Sequence, residues 1–156
     1  PVCNDGNNRN AREAMLVGAM FAGQAFANSP VATVHALAYP IGGIFHVAHG
    51  LSNALVLSHV MRFNAPAATK LYAELADVIL PAKISGSDEA KTDALIQHIE
   101  QLIVDTAIPR TLREVGVKQE DIARMASDAM LQTRLLVNNP REVSEADAFA
   151  IYSAAF

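Results

Sequence analysis

Apolar positions along this chain recur at intervals of three and four, and no alternation of period two is sustained, so helices are expected throughout. Between Arg9 and Phe26, Met15, Ala19 and Ala22 fall together with other apolar residues alongside, which predicts a helix buried on most of its sides. Asn28-Ser29-Pro30 reads as a stop, an N-cap and a proline in the first turn of the next helix. That second helix runs from about Val31 toward Tyr39, where Pro40 and the Gly42-Gly43 pair disturb it. A third spans Leu51 to Phe63 and ends at Asn64 and Pro66; a fourth covers Ala67 to Leu80 and stops at Pro81. After the polar turn Ser85-Gly86-Ser87, Asp88 or a neighbour caps a fifth helix to about Thr106, with Leu95, Ile99, Leu102 and Ile103 as its core face. Pro109 to Val115 forms a short helix closed by Gly116, followed by helices over Gln119 to Leu131 and Ser144 to Ala155. Ser144 and Asp147 have the spacing of a capping box. The pattern predicts an all-α bundle of about seven to eight helices, with residues 1–156 forming one domain.

Composition changes this picture in one respect. Charged residues make up only 18% of the 156, below the ~25% usual in soluble domains, while hydrophobic residues make up 51%. Either the core is large for the length, or part of the surface is normally covered by something else. The net charge of −4, with twelve scattered Lys and Arg, excludes a nucleic-acid surface of the usual basic kind. Cys3 is the sole cysteine, which fits a reducing compartment and a cytoplasmic protein. No apolar run reaches the ~18 residues of a membrane span. Ala14 to Ala27, behind Arg9 and Arg12, has a superficial likeness to a secretion signal. Glu13 against the apolar run and the polar start read instead as a buried helix. The opening Pro in place of Met points to a truncated or processed product.

Candidate chemistry is concentrated between Ser29 and Asn64. Four of the five histidines (His35, His46, His49 and His59) lie there, in a stretch with no charge before Arg62. His35 and His49 are fourteen residues apart; on one unbroken helix they would stand about 21 Å apart along the axis. Ligands of one metal need nitrogens only about 2.0–2.1 Å from it, so the pair is a candidate only if the chain turns back between them. Pro40, Gly42 and Gly43 offer that turn, and Gly50 removes a side chain where crowding would be worst. Tyr39, one turn after His35, shares its face and could hydrogen-bond a substrate oxygen. His46 and His49, three apart, could also share a face, while His59 falls on the next helix and His98 on the polar side of a distant one. The ordinary alternative for each histidine is a hydrogen-bonded core residue, and for Tyr39, Phe21 and Phe26 plain packing. No Asp or Glu occurs between Glu13 and Glu74, so a complete metal site has to take a carboxylate from elsewhere.

The run HALAYPIGGIFHVAHGLSNALVLSHVMRFN resembles the signature of the iron-containing (group III, metal-dependent) alcohol dehydrogenases, in which a His and a His-Gly fourteen residues later bind the metal. AREAMLVGAMFAGQAFAN is similar to the helix preceding that motif, and NNPREVSEADAFAIYSAAF to the family's C-terminal end. The resemblance implies that residues 1–156 are the family's C-terminal helical, metal-binding domain. It implies His35 and His49 as ligands of Fe2+ or Zn2+, and Phe26 and Tyr39 as substrate-pocket residues. Tyr39 departs from the pattern: many relatives have a second His there, so the proton-relay role of that His is left without its usual group. The resemblance further implies an N-terminal NAD- or NADP-binding domain and an Asp/His helix upstream of this chain. It implies a homodimer at full length, no membrane partner, and a small alcohol or aldehyde substrate. This chain alone is expected to be inactive. Maleylacetate reductases and hydroxyacid–oxoacid transhydrogenases share the resemblance. A non-catalytic helical interaction bundle is the reading from another class, and a metal hydrolase would need His46 or His59 as a third ligand.

Overall fold

The computed structural model describes residues 2–156, which contain seven α-helices and no strand. The chain separates into two units, Pro1–Val31 and Ala32–Phe156.

The first unit is built on α1, Arg9–Asn28. Asn8 caps it, its Oδ1 accepting from the Ala11 amide at 3.0 Å, which satisfies one of the unpaired N–H groups of the first turn. Alanine-rich composition sustains the helix locally. None of its residues is buried, contrary to the expectation of a helix enclosed on most sides, and Met15, Leu16 and Phe21 are exposed. Periodicity reports that a helix has an apolar face; it does not say what covers that face.

The second unit holds α2 (Thr33–Phe45), α3 (His49–Ile79), α4 (Asp88–Asp105), α5 (Ile122–Met130), α6 (Thr133–Leu136) and α7 (Glu145–Ala154). Short 3-10 turns at Arg113–Val115 and Gln119–Asp121 precede α5. α2 is the central element, packed on α3 and α5; α7 lies against α5 and α3, and α4 lies along α3. The core joins Leu37 and Ile41 of α2, Leu55, Val56 and Val60 of α3, Met125 of α5 and Tyr152 of α7, with Leu112 and Ile122 beside them.

Several boundaries differ from those expected. α2 does not stop at Tyr39 but runs through Pro40 and the glycine pair to Phe45. Pro40 removes one i→i−4 hydrogen bond, yet its ring is buried in the core among the apolar α2 residues. Likewise α3 is a single helix of 31 residues through Pro66, not two helices meeting there. On α4 Leu95 is buried and Ile99 and Ile103 are half-buried, as expected, with Thr92 and Ile96 buried beside them; of the expected core face only Leu102 is turned out, 44% exposed. Ser87 caps α4, with Oγ accepting from Ala90 N. The expected closure at Gly116 is observed at φ 91°, a left-handed conformation suited to glycine. The Ser144–Asp147 capping box forms as expected: Asp147 Oδ2 accepts from Ser144 N at 2.9 Å, and Ser144 Oγ from Asp147 N at 3.2 Å.

Candidate metal centre

The chain reverses between α2 and α3, but not at the proline or the glycines. The turning residue is His46, at φ 55° and ψ 31°, in the left-handed region where His is enriched over bulkier residues. His46 is thereby the C-cap of α2, a structural role that leaves it outside the pair described next. Residues 46–48 then pass back along α2. A Cβ at Gly42 would lie 3.3 Å from the Val47 carbonyl oxygen and 3.6 Å from Ser52 Oγ, so glycine is what permits that close pass. Ser52, buried in the first turn of α3, ties the passage down by donating to the Val47 and Ala48 carbonyls at 3.3 and 3.2 Å. Gly50, expected to relieve crowding, faces open space where a Cβ would go, apart from its own helix backbone and chain neighbours; the crowded glycine is Gly42.

This route delivers His49, the first residue of α3, to the side of His35 near the start of α2. The ring centres are 5.2 Å apart with an interplanar angle of 54°. Tyr39, one turn along α2 from His35, has its ring centre 6.4 Å from that of His49 and is 45% exposed. An ion about 2.0–2.1 Å from one nitrogen of each imidazole would lie about 3 Å from each ring centre, which at a tetrahedral angle puts the centres about 5 Å apart. The observed separation of the ring centres matches the spacing two imidazoles would have on one ion. Burial, and secondly the neighbouring charge His49 would carry, push the His35 pKa below its ordinary value. His35 is thus held as the neutral imidazole, the form with a lone pair for a metal. His35 also lines an open groove of about 510 Å³, together with Thr33, Val34, Asn64, Tyr72 and Asn139. Thr33 Oγ1 is buried with no hydrogen-bond partner among the described residues.

The other histidines of the second unit are placed apart from this pair. His59 lies ten residues further along α3, about 15 Å by helix rise. It lines a separate pocket with Glu100 and Thr111. Burial lowers its pKa, Glu100 acts in the opposite direction, and Arg62 lowers it further. His98 is on α4. Phe26 is on α1, in the first unit, and is 60% exposed. Among the described residues no three His, Cys, Asp or Glu side chains converge as a metal-binding group. One residue of the site escaped the sequence reading. Asn53 Nδ2 lies 3.1 Å from His49 Nε2. The signal was present in its spacing, since a residue four after His49 shares its helix face. No helix among the described residues is long and apolar enough to cross a membrane.

Comparison with known proteins bears on this arrangement as a whole. Residues 1–156 match the family model described as Fe-containing alcohol dehydrogenase family, C-terminal. The chain is 39% identical over 152 residues to long-chain-alcohol dehydrogenase 1 of Geobacillus thermodenitrificans, covering 97% of this chain and 38% of that protein. It is 36% identical over 152 residues to 1,3-propanediol dehydrogenase of Klebsiella pneumoniae, covering 97% and 39% respectively. A crystal structure of 1,3-propanediol oxidoreductase superimposes with a TM-score of 0.91 at 36% identity, over 97% of this chain and 39% of that one. The chain therefore spans just under two-fifths of the length of the relatives it matches.

Proposed function

The chain belongs to the Fe-containing alcohol dehydrogenase family, and on that premise we propose that it contributes the metal-holding half of an NAD(P)-dependent alcohol oxidoreductase. The observation that carries the reading is the 5.2 Å approach of the His35 and His49 rings from two different helices. His35 and His49 would hold an Fe2+ or Zn2+ ion, both of which imidazole suits. When bound, the metal supplies Lewis-acid polarisation of an alcohol or carbonyl oxygen, and the nicotinamide cofactor supplies hydride transfer.

The chain's own residues orient and exclude. The two imidazoles come from helices fixed to a common core, so their mutual geometry is set before any ion arrives. Tyr39, on the exposed side of α2 beside the pair, offers a phenol O–H to a substrate oxygen. The substrate class is a small alcohol or its aldehyde or ketone, in keeping with the alcohol and propanediol dehydrogenases among the relatives. The remaining ligands and the nucleotide site would come from sequence other than these 156 residues.

The test uses the enzyme that contains this chain. Metal content and alcohol-dependent NAD(P) reduction are measured for the wild type, His35→Ala and His49→Ala. Each substitution should strip most of the metal and reduce turnover by at least a hundredfold. Unchanged metal and unchanged turnover would remove the reading and leave a non-catalytic helical bundle.

A further inference from the structure

His35 belongs to two features at once. Its ring centre is 5.2 Å from that of His49, and the same residue lines the groove of about 510 Å³. That volume falls within the ~300–1,000 Å³ of small-molecule sites. Along α3 the groove extends from Leu57 to Leu71, about 21 Å of helix axis. Its apolar wall is Val34 of α2 with Leu57, Val60, Ala68 and Leu71 of α3. The polar side chains of the groove are already engaged. Asn64 and Asn139 exchange two hydrogen bonds, and Asn139 also donates to the Arg141 carbonyl at 2.8 Å. Asn138 donates to the Arg134 carbonyl at 3.1 Å, and the Tyr72 phenol has Asn64 as its partner. Thr33 Oγ1 has no partner among the described residues but is enclosed, beyond the reach of a molecule in the groove. A hydroxyl or carboxylate placed there would give up water for few new partners. A hydrocarbon chain has no such loss and gains by leaving water.

We propose that this groove takes the alkyl tail of the alcohol substrate. Among alcohols, the enzyme then favours unbranched primary alcohols with plain hydrocarbon tails over diols and hydroxy acids of the same length. The proposal rests on the reading of His35 and His49 as ligands, because an alcohol whose oxygen is held next to His35 begins its tail beside the groove wall. Val34, Leu57, Val60, Ala68 and Leu71 are specificity-determining residues in this assignment, acting on the tail and not on the reacting carbon.

The test uses the enzyme that contains this chain, with two readouts. Across 1-propanol, 1-butanol, 1-hexanol and 1-octanol, kcat/KM should rise by about fourfold for each methylene buried. 1-Hexanol should exceed 1,6-hexanediol by about tenfold or more, since the distal hydroxyl is left without partners. Leu71→Ser, at a position 61% exposed and outside the core, should lower the octanol-to-propanol ratio of kcat/KM. Leu102→Ser, at an exposed leucine of α4 outside the groove, should keep the wild-type ratio. The second readout needs neither metal nor turnover. In the metal-stripped enzyme with methyl-labelled Leu and Val, 1-octanol should shift the NMR signals of Val34, Leu57, Val60 and Leu71 and leave those of Leu102 in place. A flat chain-length series, equal use of the alkanol and the diol, or groove methyls that do not respond to 1-octanol would each overturn the proposal. Alcohol turnover would persist in those cases, so the dehydrogenase reading would stand. An enzyme that turns over no alcohol of any length, although 1-octanol shifts its groove methyls, would instead overturn the dehydrogenase reading and the proposal with it.

Discussion

Tyr152 holds α2 from the far end of the chain. Its hydroxyl donates to the Leu37 carbonyl at 2.6 Å, inside the core and between His35 and Tyr39 in sequence. Burial drives its pKa well above the ordinary phenol value, with the Asp128 charge adding to the rise. The consequence for stability follows from linkage. Above about pH 10 the unfolded phenol loses its proton while the folded one keeps it, so the folded state binds more protons and stability falls as pH rises. The contribution is fully present below that pH. Tyr152→Phe should be less stable at about pH 8 by roughly 0.5–1.5 kcal/mol, from the lost hydrogen bond. It should also lose less than the wild type between about pH 8 and about pH 10.5. Tyr72, whose pKa burial also raises, acts equally in both proteins and cancels in the comparison. Urea midpoints at the two pH values decide it, and an equal fall in both proteins would mean the Tyr152 phenol is not shielded. At this scale the sequence was legible where a residue acts through its neighbours. The Ser144–Asp147 box and the Ser87 cap of α4 follow from local spacing; Ser29, expected as the N-cap of α2, is instead the C-cap of α1, since α2 begins only at Thr33 behind Ala32, and the Tyr152–Leu37 bond, 115 residues apart, is outside any local window.

Elements were misread at the prolines, for one physical reason. Pro40 and Pro66 each remove a backbone hydrogen bond, and in a solvent-exposed helix interior that costs about 3 kcal/mol. Both helices continue because tertiary contacts on either side offset the loss. Around Pro66, Arg62 pairs with Glu100 of α4, and Asn64 exchanges two side-chain hydrogen bonds of 3.0 and 2.8 Å with Asn139. Arg141 donates to the Phe63 carbonyl at 2.8 Å and lies over the Phe63 ring, while Thr92 of α4 donates to the Thr69 carbonyl at 3.0 Å. None of these partners is within local reach of the proline, so no window on the sequence contains them. The glycine pair separates two effects that the sequence fused. Gly43 has open space where a Cβ would go among the described residues, whereas Gly42 meets the Val47 carbonyl oxygen. Gly43→Ala should therefore stabilise by about 0.5–1 kcal/mol through the helix interior. Gly42→Ala should forfeit that gain, because the 46–48 passage must move, and it should weaken metal binding by displacing His49 from His35. Thermal melts and metal titration of the two variants give the comparison; equal stabilities would show that the passage is free to yield.

Over the whole molecule, the chemistry visible in the sequence was a spacing, and the structure turns that spacing into a distance. Fourteen residues became 5.2 Å because α2 and α3 share a core and Val47 crosses Gly42. Spacing favours His35 and His49 over His46 only weakly, and the family resemblance strengthens that preference. In the structure His46 occupies the left-handed turn between α2 and α3, and His35 and His49 are the two rings that come together. Two neutral ligands from one chain make a weak site. A metal that binds only the native state raises stability by RT ln(1 + [L]/Kd), so the rise is small when Kd is high. With excess Zn2+ the 156-residue chain should show a modest increase in Tm that is lost in His35→Ala and in His49→Ala but kept in His59→Ala. The same chain with metal, NAD(P)H and an aldehyde should give no turnover above the blank. No third metal-ligating side chain converges on the pair among the described residues, and no glycine-rich loop here has the strand–turn–helix setting that cradles a dinucleotide phosphate. Robust NAD(P)-linked turnover by residues 1–156 alone would show that a nucleotide site and the missing ligands lie within them, and would require a different arrangement of these helices from the one observed.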